Sequence, residues 1–145
     1  MREPRFRAWI ERYKKYMPVA MIHFEPILGK IDYIEVVATG GDWAKFYPEE
    51  FILEQYTELK DKNGKEIYEG DIVGSDDGSR YLTGAVEWNE DYAKYEVIYS
   101  QLTGNSFEFE GDDGYPVANL CEVIGNIHEN QDLLGDTNVI DKEEE

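Results

Sequence analysis

The chain has 145 residues, of which 14 are basic and 32 acidic, and its formal net charge is −18. This length suits one domain of ordinary size, or a domain with a small additional lobe, and is too short for an elaborate multidomain enzyme. With 41% hydrophobic and 14% aromatic residues the chain is too apolar for general disorder, and its charge disfavours nucleic-acid binding through a basic surface.

The charge is unevenly distributed along the chain. Residues 1–20 carry six basic and two acidic side chains, a local charge of +4, and residues 21–145 carry the remaining −22. Arg5, Arg7 and Arg12 are candidate interaction residues, because a basic segment can meet the acidic body of another subunit or an anionic ligand. The simpler interpretation, a solvated face with weak surface ion pairs, is favoured.

The first half of the chain contains two predicted strands, an apolar segment and one predicted helix. Phe6–Trp9 is a predicted short strand, and the β-branched and aromatic residues of Ile31–Val37 predict a half-buried strand. Met17–Phe24, between them, is mostly apolar. Pro48 followed by Glu49 and Glu50 is typical of a first helical turn, where proline loses no hydrogen bond and acidic residues complement the helix dipole. We therefore expect about two helical turns near residues 48–54.

From Glu58 onward the pattern is that of β structure. Turn residues at 61–64 between two extended segments predict a hairpin. Further strands are predicted at 81–88, 95–101, 105–110 and 118–127, and short strands at this spacing are typical of a small barrel or sandwich. We expect a mainly β fold with a β-rich N-terminal segment over residues 1–57, a barrel region over residues 58–136 and a flexible acidic tail over residues 137–145.

Three segments resemble the YopX family of bacteriophage and prophage proteins. The longest is QYTELKDKNGKEIYEGDIV at residues 55–73, and the others are RFRAW at 5–9 and VIGNIHEN at 123–130. They stand in the order expected for that family, although Ile10 occupies a position where its members commonly have an acidic residue. The resemblance implies a β-rich fold with an SH3-like barrel, an origin in phages of mainly low-GC Gram-positive bacteria and no established biochemical activity. It supplies no catalytic residue.

The residues of these segments indicate structural roles. Gly64 suits a tight turn that needs a positive φ. Gly70 interrupts the alternation of apolar residues, so we expect a bend or bulge there. Asp71 is expected to accept hydrogen bonds from backbone N–H groups of that turn, and Gly125 to mark a close backbone approach. The expected core residues of the segment are Ile67, Ile72 and Val73.

The sequence contains no recognisable motif for catalysis or for binding a metal or cofactor. Residues 61–64 begin like a calcium loop, but the glycine comes at the fourth position instead of the sixth. His23, His128 and Cys121 do not form a zinc set, and Cys121 is expected to be a buried thiol. We therefore predict no enzymatic activity and no catalytic, cofactor-binding or metal-binding residue.

Four aromatic residues cluster around the predicted hairpin at residues 81–101. Trp88, Tyr92, Tyr95 and Tyr99 lie within twelve residues, and small β barrels bind peptides or nucleic acids through aromatic side chains near their loops. The competing interpretation, which is favoured, is cross-strand packing within the sheet. These four residues join the three arginines as the candidate interaction surface.

The leading functional hypothesis is a non-enzymatic phage or prophage accessory protein that acts through protein–protein contacts or self-association. The alternative is an acidic inhibitor that imitates nucleic acid and occupies a DNA-binding protein. An enzyme with an unrecognised pocket, or a nucleic-acid binder that uses the basic N-terminal segment, is a weaker interpretation. We expect a host or phage protein, or a second copy of the chain, as partner, a cytoplasmic location in the bacterial host and no membrane contact.

Overall fold

Strands dominate the computed structural model of the chain, which describes residues 4–76, 80–98, 106–108, 120–134 and 140–141. No helix in these ranges is long and apolar enough to cross a membrane. The described strands are β1 (Phe6–Ile10), β2 (Lys15–Phe24), β3 (Ile31–Val37), β4 (Trp43–Phe46), β5 (Phe51–Lys60), β6 (Glu66–Tyr68), β7 (Asp71–Asp76), β8 (Arg80–Asn89), β9 (Lys94–Ile98), β10 (Ser106–Glu108), β11 (Cys121–Asn126) and β12 (Ile140–Asp141), with 3-10 turns at Pro48–Glu50 and Gln131–Leu134.

The chain divides into two compact units, Met1–Tyr56 and Thr57–Glu145, with β5 running across the division. The predicted boundary lies between residues 57 and 58. Within the predicted flexible tail, Ile140–Asp141 form β12, which pairs with β8.

The first unit is built on an antiparallel sheet with the strand order β4-β3-β2-β1-β5. β1 lies between β2 and β5, with Ala8 opposite Met17 on one side and Leu53 on the other. Alternate residues of these strands point to the same face, because side chains alternate along a strand. The fully or nearly fully buried members of this core are Ala8, Ile10, Met17, Ile34, Val36 and Phe46.

The second unit has an antiparallel sheet with the strand order β10-β9-β8-β7-β11. Its core consists of Ile67, Val73, Val86, Val97 and Cys121, with Leu59, Tyr95 and Val123 packed against it. Ile67, Ile72 and Val73 are each at most 1% exposed, which confirms them as core residues, and Cys121 is confirmed as a buried thiol. The described strands form no closed barrel, so the mainly β prediction is confirmed but the SH3-like barrel is not.

The predicted helix near residues 48–54 is wrong in its extent. Its first turn forms, and the Tyr47 N–H donates to the Glu50 carboxylate at 2.8 Å as a helix start would require. The chain then becomes β5 at Phe51, because Phe51 and Ile52 pair with Ile10 and Trp9 of β1. Strand pairing with β1 therefore overrides the local helix signal after one 3-10 turn.

The bend predicted at Gly70 separates β6 from β7 and connects three parts of the second unit. Gly70 has a φ of +81°, a left-handed conformation that a residue with a Cβ rarely adopts. Its N–H donates to Val86 O at 3.0 Å, and its C=O accepts from Ile127 N–H at 2.9 Å. Asp71 accepts a hydrogen bond from Tyr68 N–H at 2.8 Å, which is the backbone-binding role predicted for it.

A buried carboxylate organises the turn between β5 and β6. Asp61 accepts N–H bonds from Asn63 and Lys65 at 2.8 and 2.9 Å, and from Val123 of β11 at 2.9 Å. Gly64 has a φ of +80° and closes the turn through its N–H to Asp61 O. Burial by itself would raise the pKa of Asp61, but the three backbone donors outweigh it and the pKa lies below its ordinary value of 3.8.

The segment after Gly125 forms a turn held by two asparagines. Asn126 Oδ1 accepts from the N–H groups of His128 and Glu129, both at 3.0 Å. Asn130 Oδ1 in turn accepts from Asn126 N–H at 3.1 Å. A Cβ on Gly125 would lie only 2.5 Å from this Asn130 Oδ1, so the close approach predicted at Gly125 is made by a side chain and not by the backbone.

We predict that Asp61→Ala lowers the free energy of unfolding of the second unit by about 2–3 kcal/mol, because it leaves three backbone donors without their charged acceptor. Asp61→Asn keeps the shape and loses the charge. Urea unfolding followed by circular dichroism measures both variants.

The pH dependence follows from the lowered pKa of Asp61. The carboxylate contributes its full stabilisation above the unfolded pKa, near 3.8, and loses it as pH falls through the lower folded pKa. The stability difference between the parent chain and Asp61→Asn should therefore be largest at neutral pH and shrink below pH ~4. A difference that stays constant down to the acid transition would contradict this assignment.

Candidate functional site

The β8–β9 hairpin carries three of the four predicted aromatic residues and brings two of them into contact. Trp88 lies directly opposite Tyr95 in the register, and their rings meet edge to face with centroids 4.9 Å apart. Tyr92 lies in the connecting turn, where Asn89 Oδ1 accepts from the N–H groups of Asp91 and Tyr92 at 2.9 and 3.2 Å. The turn is therefore internally bonded and holds Tyr92 at its tip. Tyr99 lies outside the described residues.

The three aromatic rings differ in burial. Tyr95 packs against the core of the second unit, whereas Trp88 is 45% and Tyr92 71% exposed. The ammonium of Lys94 lies 5.0 Å from the centroid of the Tyr92 ring. We call Trp88 and Tyr92, with Tyr95 in contact with Trp88, the hairpin aromatic surface. Cross-strand packing accounts for Tyr95 and for the part of Trp88 that contacts it, but not for the exposure of Trp88 and Tyr92.

The electrostatic environment of this surface is acidic. Burial raises the pKa of Tyr95 to about 12, with smaller contributions from the negative charges of Glu69 and Glu58. Both carboxylates are close enough to oppose ionisation of the Tyr95 hydroxyl. A cationic group of another molecule placed here would meet aromatic rings and negative charge together, a combination that favours arginine and lysine.

The structure assigns different roles to the three candidate arginines. Arg7 lies opposite Glu54 in the β1–β5 pairing and donates to its Oε1 through Nε at 2.9 Å and through the terminal nitrogen at 2.8 Å. Tyr16 also donates to this oxygen, and Arg7 lies over the Tyr16 ring at 3.9 Å. Glu54 is only 3% exposed. Arg7 is thus engaged inside the first unit as the counter-ion of a buried carboxylate.

The other two arginines contact tyrosines at the surface. Arg5 lies 5.6 Å from the ring centroid of Tyr56, and Arg12 lies 5.5 Å from that of Tyr13. Both arginines are exposed. They are held on separate aromatic rings, so the described structure does not gather the three arginines into one basic cluster.

Sequence reasoning missed a second aromatic group, on β2, β3 and β4. His23 stacks on Tyr33 with parallel rings 4.7 Å apart, and the Lys45 ammonium lies 4.1 Å from the Tyr33 centroid. Tyr47 meets Tyr33 edge to face at 6.4 Å, and Trp43 is 61% exposed. The sequence feature that could have revealed this group is the pair Gly40 and Gly41, which forms the turn that brings β4 alongside β3.

The described residues show no cluster of three or more His, Cys, Asp or Glu side chains able to hold a metal ion. His23 Nδ1 lies 3.3 Å from Asp32 Oδ2, a pair exposed to solvent. Burial raises the pKa of the Cys121 thiol, and a hydrogen bond with the Ser75 side chain, which lowers that pKa, offsets the rise only in part. The reactive thiolate is therefore disfavoured at Cys121.

Comparison with known proteins places the chain in a family. A family model described as YopX protein matches residues 5–135. The crystal structure of protein EF1440 from Enterococcus faecalis is similar to the chain, with a TM-score of 0.55, 24% sequence identity and coverage of 92% of this chain and 99% of that chain. At this identity the likeness shows the fold alone. A search of curated proteins finds no match.

We predict that Arg7→Ala destabilises the first unit by about 3 kcal/mol, because it leaves the buried Glu54 carboxylate without its counter-ion. The double variant Arg7→Met/Glu54→Leu should recover much of that loss, since replacing both partners removes the uncompensated charge. Urea unfolding of the single and double variants measures the two effects.

The matched control is Arg12→Ala, which removes an exposed arginine from the same segment and should change stability by less than about 0.5 kcal/mol. Equal losses for Arg7→Ala and Arg12→Ala would contradict the buried ion pair.

Proposed function

Since the chain belongs to the YopX family, we propose that it is a non-enzymatic accessory protein of a phage or prophage, acting in the bacterial cytoplasm through protein–protein contacts. The hairpin aromatic surface is the contact site in this proposal. Its partner is a host or phage protein that presents an arginine or lysine side chain.

The exposure of Trp88 and Tyr92 carries this proposal. Tryptophan and tyrosine dominate the binding energy of protein interfaces, because each buries a large rigid area at little cost in conformational entropy. Trp88 packs edge to face with Tyr95, and the backbone of Tyr92 is held by a turn bonded to Asn89. The Trp88 ring and the turn that carries Tyr92 are therefore positioned before a partner arrives, which lowers the cost of binding.

The charge of the site selects the class of partner. Glu58 and Glu69 place negative charge near Tyr95, and the whole chain carries −18. A guanidinium or ammonium group placed over the Trp88 ring is attracted by the aromatic face and by these carboxylates. Nucleic acid would meet repulsion at the same place. A basic protein segment suits the site better than a nucleic acid.

We predict that the double variant Trp88→Ala/Tyr92→Ala binds its partner at least about tenfold more weakly, since truncation of such aromatic residues commonly costs 1.4 kcal/mol or more. The immobilised parent chain is incubated with host lysate, the retained proteins are identified by mass spectrometry, and the affinity of the purified partner is then measured. Trp43→Ala is the matched control, because it removes a tryptophan of the first unit that is even more exposed, 61% against 45% for Trp88.

The outcomes separate the proposal from its alternative. Retention by the parent chain and by Trp43→Ala, with loss in the double variant, supports the proposal. A strictly monomeric parent chain that retains no protein, or a partner held equally by the double variant, contradicts it. A DNA-binding protein that is released by salt and displaced by DNA would instead favour the acidic inhibitor that imitates nucleic acid.

A further inference from the structure

β4 is the outer strand of the first sheet, and no strand of the described chain pairs with its other side. The turn before β4 defines which of its backbone groups point outward. Ala38 N–H donates to Asp42 O at 2.6 Å, and the same register continues through β3 and β4. Because bonded and non-bonded pairs alternate in an antiparallel ladder, Trp43 and Lys45 direct their N–H and C=O groups away from β3.

This outward edge is short and has clear ends. The next outward N–H belongs to Tyr47, and it donates to the Glu50 carboxylate at 2.8 Å. Before the N-terminal end of β4, Gly41 has a φ of +86°, which interrupts the extended conformation. Within the described residues, the outward groups available to another strand are therefore those of Trp43 and Lys45.

The side chains of these two edge residues lie on one face of the sheet. Trp43 is 61% exposed and lies on the outer strand of the sheet. The Lys45 ammonium is held over Tyr33 on that same face, 4.1 Å from its centroid. The edge thus presents an exposed aromatic ring and a cation two residues apart, beside two pairs of outward backbone groups.

We propose that β4 pairs antiparallel with β4 of a second copy of the chain, forming a symmetric dimer with a continuous sheet. In this pairing Trp43 lies opposite Lys45 of the second copy, and Ala44 lies opposite its own counterpart on the two-fold axis. Four backbone hydrogen bonds form, and each indole lies beside the aliphatic part of the Lys45 side chain of the other copy. The contact is separate from the hairpin aromatic surface and does not depend on its function.

The arrangement of charges selects this register from the alternatives. A symmetric pairing centred on Lys45 would place two ammonium groups directly opposite each other, which is unfavourable. A pairing centred on Trp43 would place Gly41, which is not extended, opposite Lys45. In the proposed register Asp42 lies opposite Phe46 of the second copy, so no two like charges face each other although each chain carries −18.

The length of β4 and the net charge determine the strength of the dimer. Four residues per copy form a small contact, below the size of a stable interface, so association is weak. Repulsion between two chains of charge −18 opposes it and is screened by salt. The dimer therefore gains affinity as ionic strength rises, the opposite of a complex held by ion pairs.

Lys45→Pro tests the backbone pairing. Proline removes an N–H that points away from β3, so the β3–β4 bonds remain, and proline is tolerated on edge strands. The control Lys45→Ala removes the same ammonium and keeps the N–H. Sedimentation velocity over a concentration series should show dimerisation of Lys45→Ala, and at least tenfold weaker dimerisation of Lys45→Pro. Equal dimerisation of the two variants, or a monomeric parent chain at every concentration, would overturn the proposal.

Disulfide trapping tests the register without relying on the proline variant. Ala44→Cys places two thiols at a non-hydrogen-bonded pair, where the Cα atoms are about 4.5 Å apart, a separation that a disulfide can span. Asp42→Cys is the control, because its thiols lie four residues apart along the paired strands. Under mild oxidation Ala44→Cys should form a covalent dimer much faster than Asp42→Cys. Equal rates would overturn the proposal, and the native Cys121 is buried in both variants.

Discussion

The left-handed conformation of Gly70 is the constraint on which the second unit depends. Its N–H binds Val86 of β8 and its C=O binds Ile127 after β11, so one residue joins the segments on either side of β7. Val86 is two residues before Trp88 on the same face of β8, since side chains alternate along a strand. The bend at Gly70 therefore holds the strand that carries the hairpin aromatic surface.

Two contacts that involve aromatic rings have different consequences in the two units. In the first unit, Arg7 lies over Tyr16 and forms an ion pair with the buried carboxylate of Glu54, so its charge is already neutralised within the fold. In the second unit, Trp88 against Tyr95 has one side on the core and the other in solvent. Because Arg7 is engaged with a buried carboxylate and Trp88 is 45% exposed, the aromatic hairpin is a better candidate site than the arginine segment.

The sequence predicted most strands because turn residues with a special backbone conformation separate them, as at Gly64 and Gly70. The helix near residues 48–54 failed because its local signals, Pro48 and Glu50, form only one turn before β5 pairs with β1. β4 was missed because four residues carry little periodicity. The exposure of Trp88 could not be predicted from the sequence, since it depends on which residue of β9 lies opposite it and on which core residues pack against that pair.

Photo-crosslinking from the hairpin tip tests the central claim most directly. A photoreactive phenylalanine analogue is placed at Tyr92, or at Tyr13 as a control that is exposed to 49% in the first unit, and each chain is irradiated in the bacterial host. The account predicts a covalent adduct from position 92 to one protein through a segment rich in arginine or lysine, and none to that protein from position 13. Equal adducts from both positions, or none from position 92, would contradict it.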